Sequence, residues 1–313
     1  MAEFKTWTVT KPYINLHCAL GEAPYYEPST NTLRFVDIKK KRLHTLSLSA
    51  PIADPENPGD ALHTLELDTP VGVTADIEGV DPSQKILVGY KRGVAVLDRK
   101  TGQYELLKRF YDSEANDERL RSNDGTVDAQ GRFWIGTMND FWVGAPQAEG
   151  NLFRFSSDLA RSELRSGLII PNGIGWSLDE KTLYFTHSAE HQIYAFDYAP
   201  STGDISNERV FYKHPTKGEP DGFAIDVEGN LWQCVYGEGK VLRINPKGEV
   251  TGEIKMPCSN ITCPAFMGTE LWITTAAEEG EELSGGLFKV DVGVAGLPPN
   301  QFKADEVVLK KIL

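Results

Sequence analysis

The chain of 313 residues lacks several features, and each absence excludes a class of protein. No apolar run reaches the roughly 18 residues that a membrane-spanning helix needs, so no membrane partner is expected. Acidic residues outnumber basic ones, 45 against 32, which gives a formal net charge of −13. Because nucleic-acid and anionic-membrane partners favour a basic face, neither is predicted. The start MAEFKTWTVTKP has no basic segment followed by an apolar core, so no secretory signal and a cytoplasmic location are expected.

Cysteines are few, and the common catalytic motifs are missing. No C-x-x-C pair occurs, which argues against a zinc knuckle or a disulfide framework and predicts reduced, buried thiols. The chain has no G-x-S-x-G elbow, no P-loop, no G-x-G-x-x-G after a strand and no H-E-x-x-H. These absences remove the usual nucleophile, phosphate and dinucleotide mechanisms. Hydrolysis by a metal ion and water is the chemistry that remains.

What the chain does contain is a repeat. Three similar segments read NDGTVDAQGRFWIGT, PNGIGWSLDEKTLYFTH and PDGFAIDVEGNLWQCV, and each has a polar residue at its start. Asn123, Asn172 and Asp221 follow one another at intervals of 49 residues. A period near 50 with several short strands between Asp, Gly and Pro turns is typical of β-propeller blades. Six repeat starts fill the chain, near Glu22, Val73, Asn123, Asn172, Asp221 and Cys263. We therefore predict an all-β fold, one six-bladed β-propeller domain that spans residues 1–313.

The repeats do not decide which terminus closes the ring. Either the tail ADEVVLKKIL or the start FKTWTVT can supply a strand to the last blade, because both alternate in hydrophobicity. Aromatic residues recur in register after the first turn of several repeats, and they are expected to pack between blades. These residues are Trp134, Tyr184, Trp232 and Trp272.

Polar residues at the repeat starts predict a metal site. The same point of every blade faces the central channel of a propeller, so Asn172 and Asp221 should converge there. Glu22, between Gly21 and Pro24 on its two sides, is expected at the same channel-facing position. Two carboxylates and a carboxamide form an oxygen cage for Ca²⁺, Mg²⁺ or Mn²⁺, and Zn²⁺ or Fe²⁺ is tolerated when waters complete it. Any one of these motifs alone is an ordinary turn; their shared spacing favours a site.

Further polar residues lie near the expected channel mouth. Arg121 stands two residues before Asn123, so both point to the same face of an extended segment. An arginine at a mouth lined by acids can orient an anionic or polyhydroxyl ligand, although a surface salt bridge is the alternative. His187 follows the strand TLYFT and is either a proton carrier or ligand, or a polar residue at a strand end.

Six stretches carry a family resemblance: LGEAPYYEPSTNTLRFVDI, RSNDGTVDAQGRFWIGTM, PNGIGWSLDEKTLYF, IYAFDY, EPDGFAIDVEGNLW and GGLFKV. They cover nearly the whole chain in order, and they resemble the senescence marker protein, regucalcin and gluconolactonase family, which includes luciferin-regenerating enzymes. The resemblance implies a six-bladed propeller with one divalent metal ion in its channel. It implies Glu22, Asn172 and Asp221 as ligands, with Asp221 also the general base. It implies Arg121 and Asn123 as residues that hold the substrate.

Two positions depart from the family's pattern. Phe141, beside Asp140, stands where many relatives carry an acid, and His187-Ser188 replaces a frequent Asp-Ser. The expected function is a divalent-metal-dependent lactonase that hydrolyses a sugar-derived aldonolactone through a metal-activated water. Asp140 and His187 are expected to contribute to substrate binding. The partner would be the small-molecule sugar lactone, and the protein a monomer or weak homodimer. The alternatives are a non-catalytic Ca²⁺-binding propeller, or the same fold acting on a non-sugar lactone or an organophosphate.

Overall fold

The computed structural model describes residues 4–49 and 51–313. Their strands form six antiparallel sheets arranged as the blades of a β-propeller, which confirms the predicted fold class. Apart from two N-terminal strands, sequence order runs from the channel outwards within each blade, and the innermost strands contact one another in sequence around the ring. In this part of the chain, no helix has the length and apolar character that crossing a bilayer requires.

The first three blades are continuous in sequence. Blade one contains Gly21–Glu27, Thr32–Asp37, Arg42–Ser47 and Leu62–Glu66. Blade two contains Val71–Ala75, Lys85–Tyr90, Gly93–Asp98 and Tyr104–Arg109. Blade three contains Leu120–Val127, Phe133–Asn139, Gly150–Phe155 and Arg161–Leu168, and helix α1 (Glu114–Arg119) precedes it.

The last three blades include strands from the N-terminus. Blade four contains Pro171–Trp176, Thr182–His187, Gln192–Ala199 and Asp204–Lys213. Blade five contains Glu219–Ile225, Leu231–Tyr236, Lys240–Ile244 and Val250–Lys255, with Lys5–Thr8 added outside in parallel. Blade six contains Ile261–Met267, Glu270–Thr275 and Gly286–Asp291, and its outer strand is Ile14–Asn15. Short 3₁₀ helices lie at Gly59–Ala61, Phe141–Val143 and Ser188–Glu190.

The ring is closed by the N-terminal part of the chain, but not by the segment proposed from the sequence. Ile14–Asn15 pairs with Leu287 and Gly286 in blade six, whereas FKTWTVT forms the parallel strand on blade five. The tail prediction is wrong, because ADEVVLKKIL forms helix α2 (Glu306–Ile312) with Asp305 as its N-cap. The apolar period of a short helix and that of a strand are hard to separate in ten residues.

The repeated aromatic residues pack as predicted. Trp134, Tyr184, Trp232 and Trp272 are all buried. Two of these tryptophans are fixed by the acid of the preceding turn. Asp128 Oδ2 accepts a hydrogen bond from Trp134 Nε1, and Asp226 Oδ2 accepts one from Trp232 Nε1, each at 2.9 Å. One turn acid therefore shapes its own hairpin and holds the indole of the next strand.

All six innermost strands carry a β-bulge at the same level. In blade four, Pro171 and Ile174 oppose His187 and Phe185, so one extra residue is inserted into the inner strand. The same irregularity occurs in the inner strands of the other five blades. Bulges re-aim side chains and are frequent beside functional sites. This ring of bulges marks the level of the channel at which the candidate ligands lie.

The segment before helix α2 crosses the far end of the channel. Gly296 pairs with Asp226 of blade five, and Phe302 pairs with Ile77 of blade two. Asn300 donates a hydrogen bond to the Val127 carbonyl at 3.0 Å. Helix α2 then buries Val308 and Ile312 against the apolar core around blade two. The far end of the channel is thereby covered, and the opposite end is the mouth.

Candidate metal centre and substrate mouth

The ring of bulges orients the candidate ligands. Asn172 and Asp221 each occupy the inserted position of their strand and are 4% and 7% exposed. Asn123 occupies the same position in blade three and is also buried. The interval of 49 residues therefore corresponds to one structural position in three consecutive blades.

Glu22 reaches the channel by a different backbone route. It pairs with Val36 immediately before the bulge, one residue earlier in register than Asn172 and Asp221. The next residue, Ala23, has a φ of 49° in the left-handed region, which is uncommon for a residue other than glycine. The sequence placed Glu22 at the repeat position itself. A non-glycine residue held at positive φ is a strained feature of the kind found at functional sites.

Hydrogen bonds fix the amide of Asn172. Its Nδ2 donates to Ser188 Oγ at 2.8 Å, and that hydroxyl donates to the Pro220 carbonyl at 2.6 Å. Its Oδ1 accepts from Asn123 Nδ2 at 2.8 Å, which leaves one lone pair of the oxygen for a ligand. Ser188 thus links the inner strands of blades four and five. The sequence analysis named Ser188 only as the neighbour of His187 and did not assign it this role.

Three buried carboxyl groups interact electrostatically at this level. Burial, reinforced by the nearby Asp124 carboxylate, raises the pKa of Glu22 to about 8. Burial also raises the pKa of Asp124 to about 6. The pKa of Asp221 lies well above its usual range, because the group is buried and faces Glu22 and Asp124. Carboxylates that repel one another in this way are the environment that a divalent cation neutralises.

The donor set fits a hard divalent ion. Asp221 Oδ1 is buried and has no hydrogen-bond partner among the described residues. Over residues 4–49 and 51–313, no three His, Cys, Asp or Glu side chains lie close enough together to hold a metal ion. A centre at Glu22 and Asp221 therefore needs the Asn172 carboxamide as its third protein ligand. Such an all-oxygen set suits Ca²⁺, Mg²⁺ or Mn²⁺.

Asp124 is a site residue that the sequence analysis did not select. Its side chain acts electrostatically on both Glu22 and Asp221, and its Oδ1 accepts from the Gly125 amide at 2.7 Å. A signal for it was present, because Asp124 directly precedes a glycine as Asn172 and Asp221 do. The interval of 49 residues selects Asn123, whereas alignment on the following glycine selects Asp124, and the sequence analysis used only the interval.

Arg121 lies at the mouth with an incomplete set of partners. Its Nη1 donates to the Ser122 carbonyl at 2.7 Å and to Asn123 Oδ1 at 3.0 Å. Its Nε is buried and finds no acceptor in the described chain. Burial lowers the pKa of the guanidinium to about 10, although Asp140 and Glu22 act against this shift. Arg121 and Asn123 therefore form a connected pair, as a substrate-holding arm requires.

His187 and Asp140 are both buried near the mouth. The amide of Ile169 donates to His187 Nε2 at 3.0 Å, and Nδ1 lies 3.1 Å from Glu190 Oε2. Asp140 Oδ1 accepts from the Phe141 amide at 2.8 Å, while Oδ2 forms an ion pair with Lys91. Both oxygens of Asp140 thus have partners within the protein, whereas His187 Nδ1 is buried without a hydrogen-bond partner among the described residues. Substrate binding by Asp140 and His187 stays a prediction.

Two cavities adjoin this level. One of about 420 Å³ fills the far half of the channel, from Asp124 and Cys263 to Pro298 and Pro299 of the crossing segment. The other, of about 530 Å³, is a groove beside the mouth, and Lys91 and Trp142 form part of its wall. The first cavity is lined mainly by apolar residues, and Arg121 is not among them. We therefore expect substrate to bind on the mouth side of the candidate ligands.

Comparisons with known proteins agree with the fold described above. Regucalcin of Xenopus laevis is 32% identical over 298 residues, which cover 90% of this chain and 94% of that protein. Pentonolactonase XacC of Haloferax volcanii is 30% identical over 315 residues, covering 95% and 98%. The solved structure of a calcium-binding protein, regucalcin, from Agrobacterium tumefaciens superposes with a TM-score of 0.84 at 25% identity, covering 95% and 99%.

A solved luciferin-regenerating enzyme superposes with a TM-score of 0.82 at 26% identity, covering 94% of this chain and 99% of the other. Residues 20–277 match the family described as SMP-30/Gluconolactonase/LRE-like region. This match spans more than half of the chain and covers blades one to five with the two inner strands of blade six. The chain therefore belongs to the SMP-30/gluconolactonase/LRE-like family.

Proposed function

We propose that this protein is a divalent-metal-dependent lactonase that hydrolyses a sugar-derived aldonolactone to its aldonic acid. The proposal rests on Asp221 Oδ1, which is buried and finds no hydrogen-bond partner in the described part of the chain, together with Glu22 and the oriented carboxamide of Asn172. A purely structural ion needs no polar arm at its side, yet Arg121 and Asn123 supply one. The pentonolactonase relative supports a lactone as substrate.

The residues divide the reaction among themselves. Glu22, Asn172 and Asp221 would hold the cation, which supplies a Lewis acid to the lactone carbonyl when it is bound. Asp221 accepts the proton of the attacking water as the general base. Arg121 donates a hydrogen bond to a ring oxygen, and Asn123 Oδ1 accepts one from a ring hydroxyl, since both N–H groups of Asn123 bind Pro171 and Asn172. Together they fix the lactone over the centre. Ser188 keeps the Asn172 amide oriented so that its oxygen faces the channel.

A non-catalytic Ca²⁺-binding protein is the second candidate. One similar solved structure is described as a calcium-binding protein, which gives this reading its support. Both candidates use the same three ligands, so metal binding alone does not separate them. They differ in whether bound metal produces lactone turnover.

The test is acid release from lactones in a weakly buffered indicator solution. The protein is stripped with a chelator and reloaded with Ca²⁺, Mg²⁺, Mn²⁺, Zn²⁺ or Fe²⁺, one at a time. Glucono-1,5-lactone and pentono-1,4-lactones serve as substrates, and metal without protein is the control. We expect metal-dependent acid release above the spontaneous rate. Metal that raises the melting temperature without any acid release would favour the calcium-binding alternative.

A further inference from the structure

Asp140 is bound on both of its carboxylate oxygens by the protein itself. Its Oδ1 caps the 3₁₀ turn Phe141–Val143 by accepting from the Phe141 amide, and its Oδ2 pairs with Lys91 of blade two. Only 6% of Asp140 is exposed. Both oxygens already hold groups of the protein, and the burial of the side chain leaves its remaining lone pairs little exposure to a sugar hydroxyl. Its geometry is that of a group that positions the turn it caps.

The same turn has a second tether. Trp142 Nε1 donates to the Glu118 carbonyl of helix α1 at 2.9 Å, and the amide of Asp140 donates to the Arg119 carbonyl at 2.8 Å. Lys91 holds the turn from the neighbouring blade, while Glu118 holds it from its own. The turn is therefore fixed at both ends although it lies on the surface. What it presents to the channel is the ring of Phe141.

Phe141 lies between two cationic side chains at the mouth. Arg121 Cζ is 4.3 Å from the centre of its ring, and Lys39 Nζ of blade one is 5.7 Å from it. These are cation–π distances. The ring covers a face of the Arg121 guanidinium, yet it is itself 38% exposed. A ligand that reaches Arg121 must therefore pass along an aromatic surface.

We propose that the Lys91–Asp140 pair is a positioning device that holds Phe141 over Arg121, and that Phe141 determines which lactones the site prefers. The preferred class is a lactone that presents a C–H or deoxy face, instead of a hydroxyl, to this ring. The part about preference rests on the proposed lactonase function. Positioning by Lys91 and Asp140 concerns the protein alone.

The physical reason is the loss of water at the ring. A hydroxyl turned towards Phe141 gives up hydrogen bonds to solvent and finds no strong acceptor in their place. A C–H face loses no hydrogen bond and gains dispersion contact with the ring. Apolar surfaces discriminate against an added hydroxyl only moderately, so the expected preference is moderate as well.

The first test measures preference. The ratio of kcat/KM for δ-valerolactone to that for glucono-1,5-lactone is compared between the wild type and Phe141→Gln, a side chain that can accept a hydroxyl. We expect the ratio to fall about tenfold, mainly through KM, which corresponds to ~1.4 kcal/mol. Phe141→Tyr should keep the wild-type ratio. A folded, active Phe141→Gln protein whose ratio stays within about twofold of wild type would overturn the specificity role and leave the lactonase proposal standing.

The second test needs no turnover. Arg121 is modified with phenylglyoxal, and the rate is followed by mass spectrometry of its peptide in folded protein. We expect faster modification in Phe141→Gln and in Lys91→Met, and a wild-type rate in Lys91→Arg, which restores the ion pair. Arg209→Met breaks the exposed pair with Asp197 on blade four and is the matched control without effect. An unchanged rate in Lys91→Met and Phe141→Gln would refute the positioning role, whether or not lactones are hydrolysed.

Discussion

Two glutamates of one strand have opposite surroundings. Glu22 and Glu27 lie at the two ends of Gly21–Glu27, the inner strand of blade one. Burial alone would raise the pKa of Glu27, but Arg34 and Arg99 lower it below its usual range. Burial and the Asp124 carboxylate raise the pKa of Glu22 to about 8, and Arg121 opposes this shift only weakly. Paired arginines thus compensate the glutamate at one end of the strand, and the glutamate at the other end lies beside a second acid.

Two buried arginines show the same division. Arg34 pairs with Glu27 and Asp76 at 2.6 and 2.7 Å, and these acids raise its pKa although burial opposes them. Arg121 has no carboxylate within ion-pair distance among the described residues, and burial lowers its pKa to about 10. A buried charge without a partner is expensive, so it is expected where a ligand completes it. We infer that the ion pairs of Arg34 join blades one and two, and that the unpaired Arg121 serves ligand binding.

The largest expected effect is the loss of lactone hydrolysis when one of the unpaired acids is removed. Asp221→Ala removes a ligand and the general base together, so kcat/KM for the lactone should drop by about 10³-fold or more. The fold should remain, because Asp221 forms no ion pair within residues 4–49 and 51–313. Asp197→Ala, at an exposed position of blade four, is the control and is measured in the same acid-release assay. Hydrolysis at the wild-type rate by folded Asp221→Ala protein would exclude the proposed mechanism.

Removing a carboxylate at the Glu27 end of the strand should reduce stability, whereas removing Asp221 should reduce activity. Glu27→Gln leaves Arg34 and Arg99 without their shared carboxylate, and breaking a buried pair costs about 3–5 kcal/mol of unfolding free energy. Urea unfolding at neutral pH measures it. Glu66→Gln, which breaks an exposed pair with Arg42, should change stability by less than about 1 kcal/mol. Equal losses in the two variants would remove the distinction between the buried network and a surface pair.

Arg121 provides a smaller effect on binding. Arg121→Ala should raise KM for a polyhydroxyl lactone about tenfold, or ~1.4 kcal/mol, with a smaller change in kcat. The residue holds the substrate and takes no proton, which is why the effect should appear in KM. Steady-state kinetics over several lactones checks this. An unchanged KM throughout the series would remove Arg121 from the substrate arm.

Acid should weaken the ion pairs at the Glu27 end of the strand. A carboxyl whose pKa is depressed in the folded state contributes stability above its unfolded pKa, about 4.3 for Glu, and loses it as pH falls towards the folded value. The unfolding free energy should therefore decline below pH ~4.3, and less steeply in Glu27→Gln than in wild type. Urea titrations between pH 3 and 6 give the two slopes. Identical slopes would show that Glu27 is not stabilised by its arginines.

The features that recur from blade to blade could be predicted from the sequence, and the features of a single blade could not. The interval of 49 residues located Asn123, Asn172 and Asp221 because each occupies one bulge position. Turn acids and aromatic residues recurred for the same reason. The offset of Glu22 depends on a left-handed Ala23, which no local pattern signals.

Partners distant in sequence were also beyond prediction. Lys91 meets Asp140 across 49 residues only because blades two and three are neighbours. The closing strand Ile14–Asn15 is two residues long, too short to carry a period. Both the ion pair and the closing strand depend on contacts between blades, which the local sequence does not encode.

The most direct test of the central claim is the number of metal ions bound per chain. Chelator-stripped wild type, Asp221→Ala and Glu27→Gln are titrated with Ca²⁺ and with Mn²⁺ by calorimetry. We expect one ion in wild type, one ion with similar affinity in Glu27→Gln, and no measurable binding in Asp221→Ala. Binding of one ion by Asp221→Ala with wild-type affinity, or none by wild type, would contradict a metal centre built on Glu22, Asn172 and Asp221.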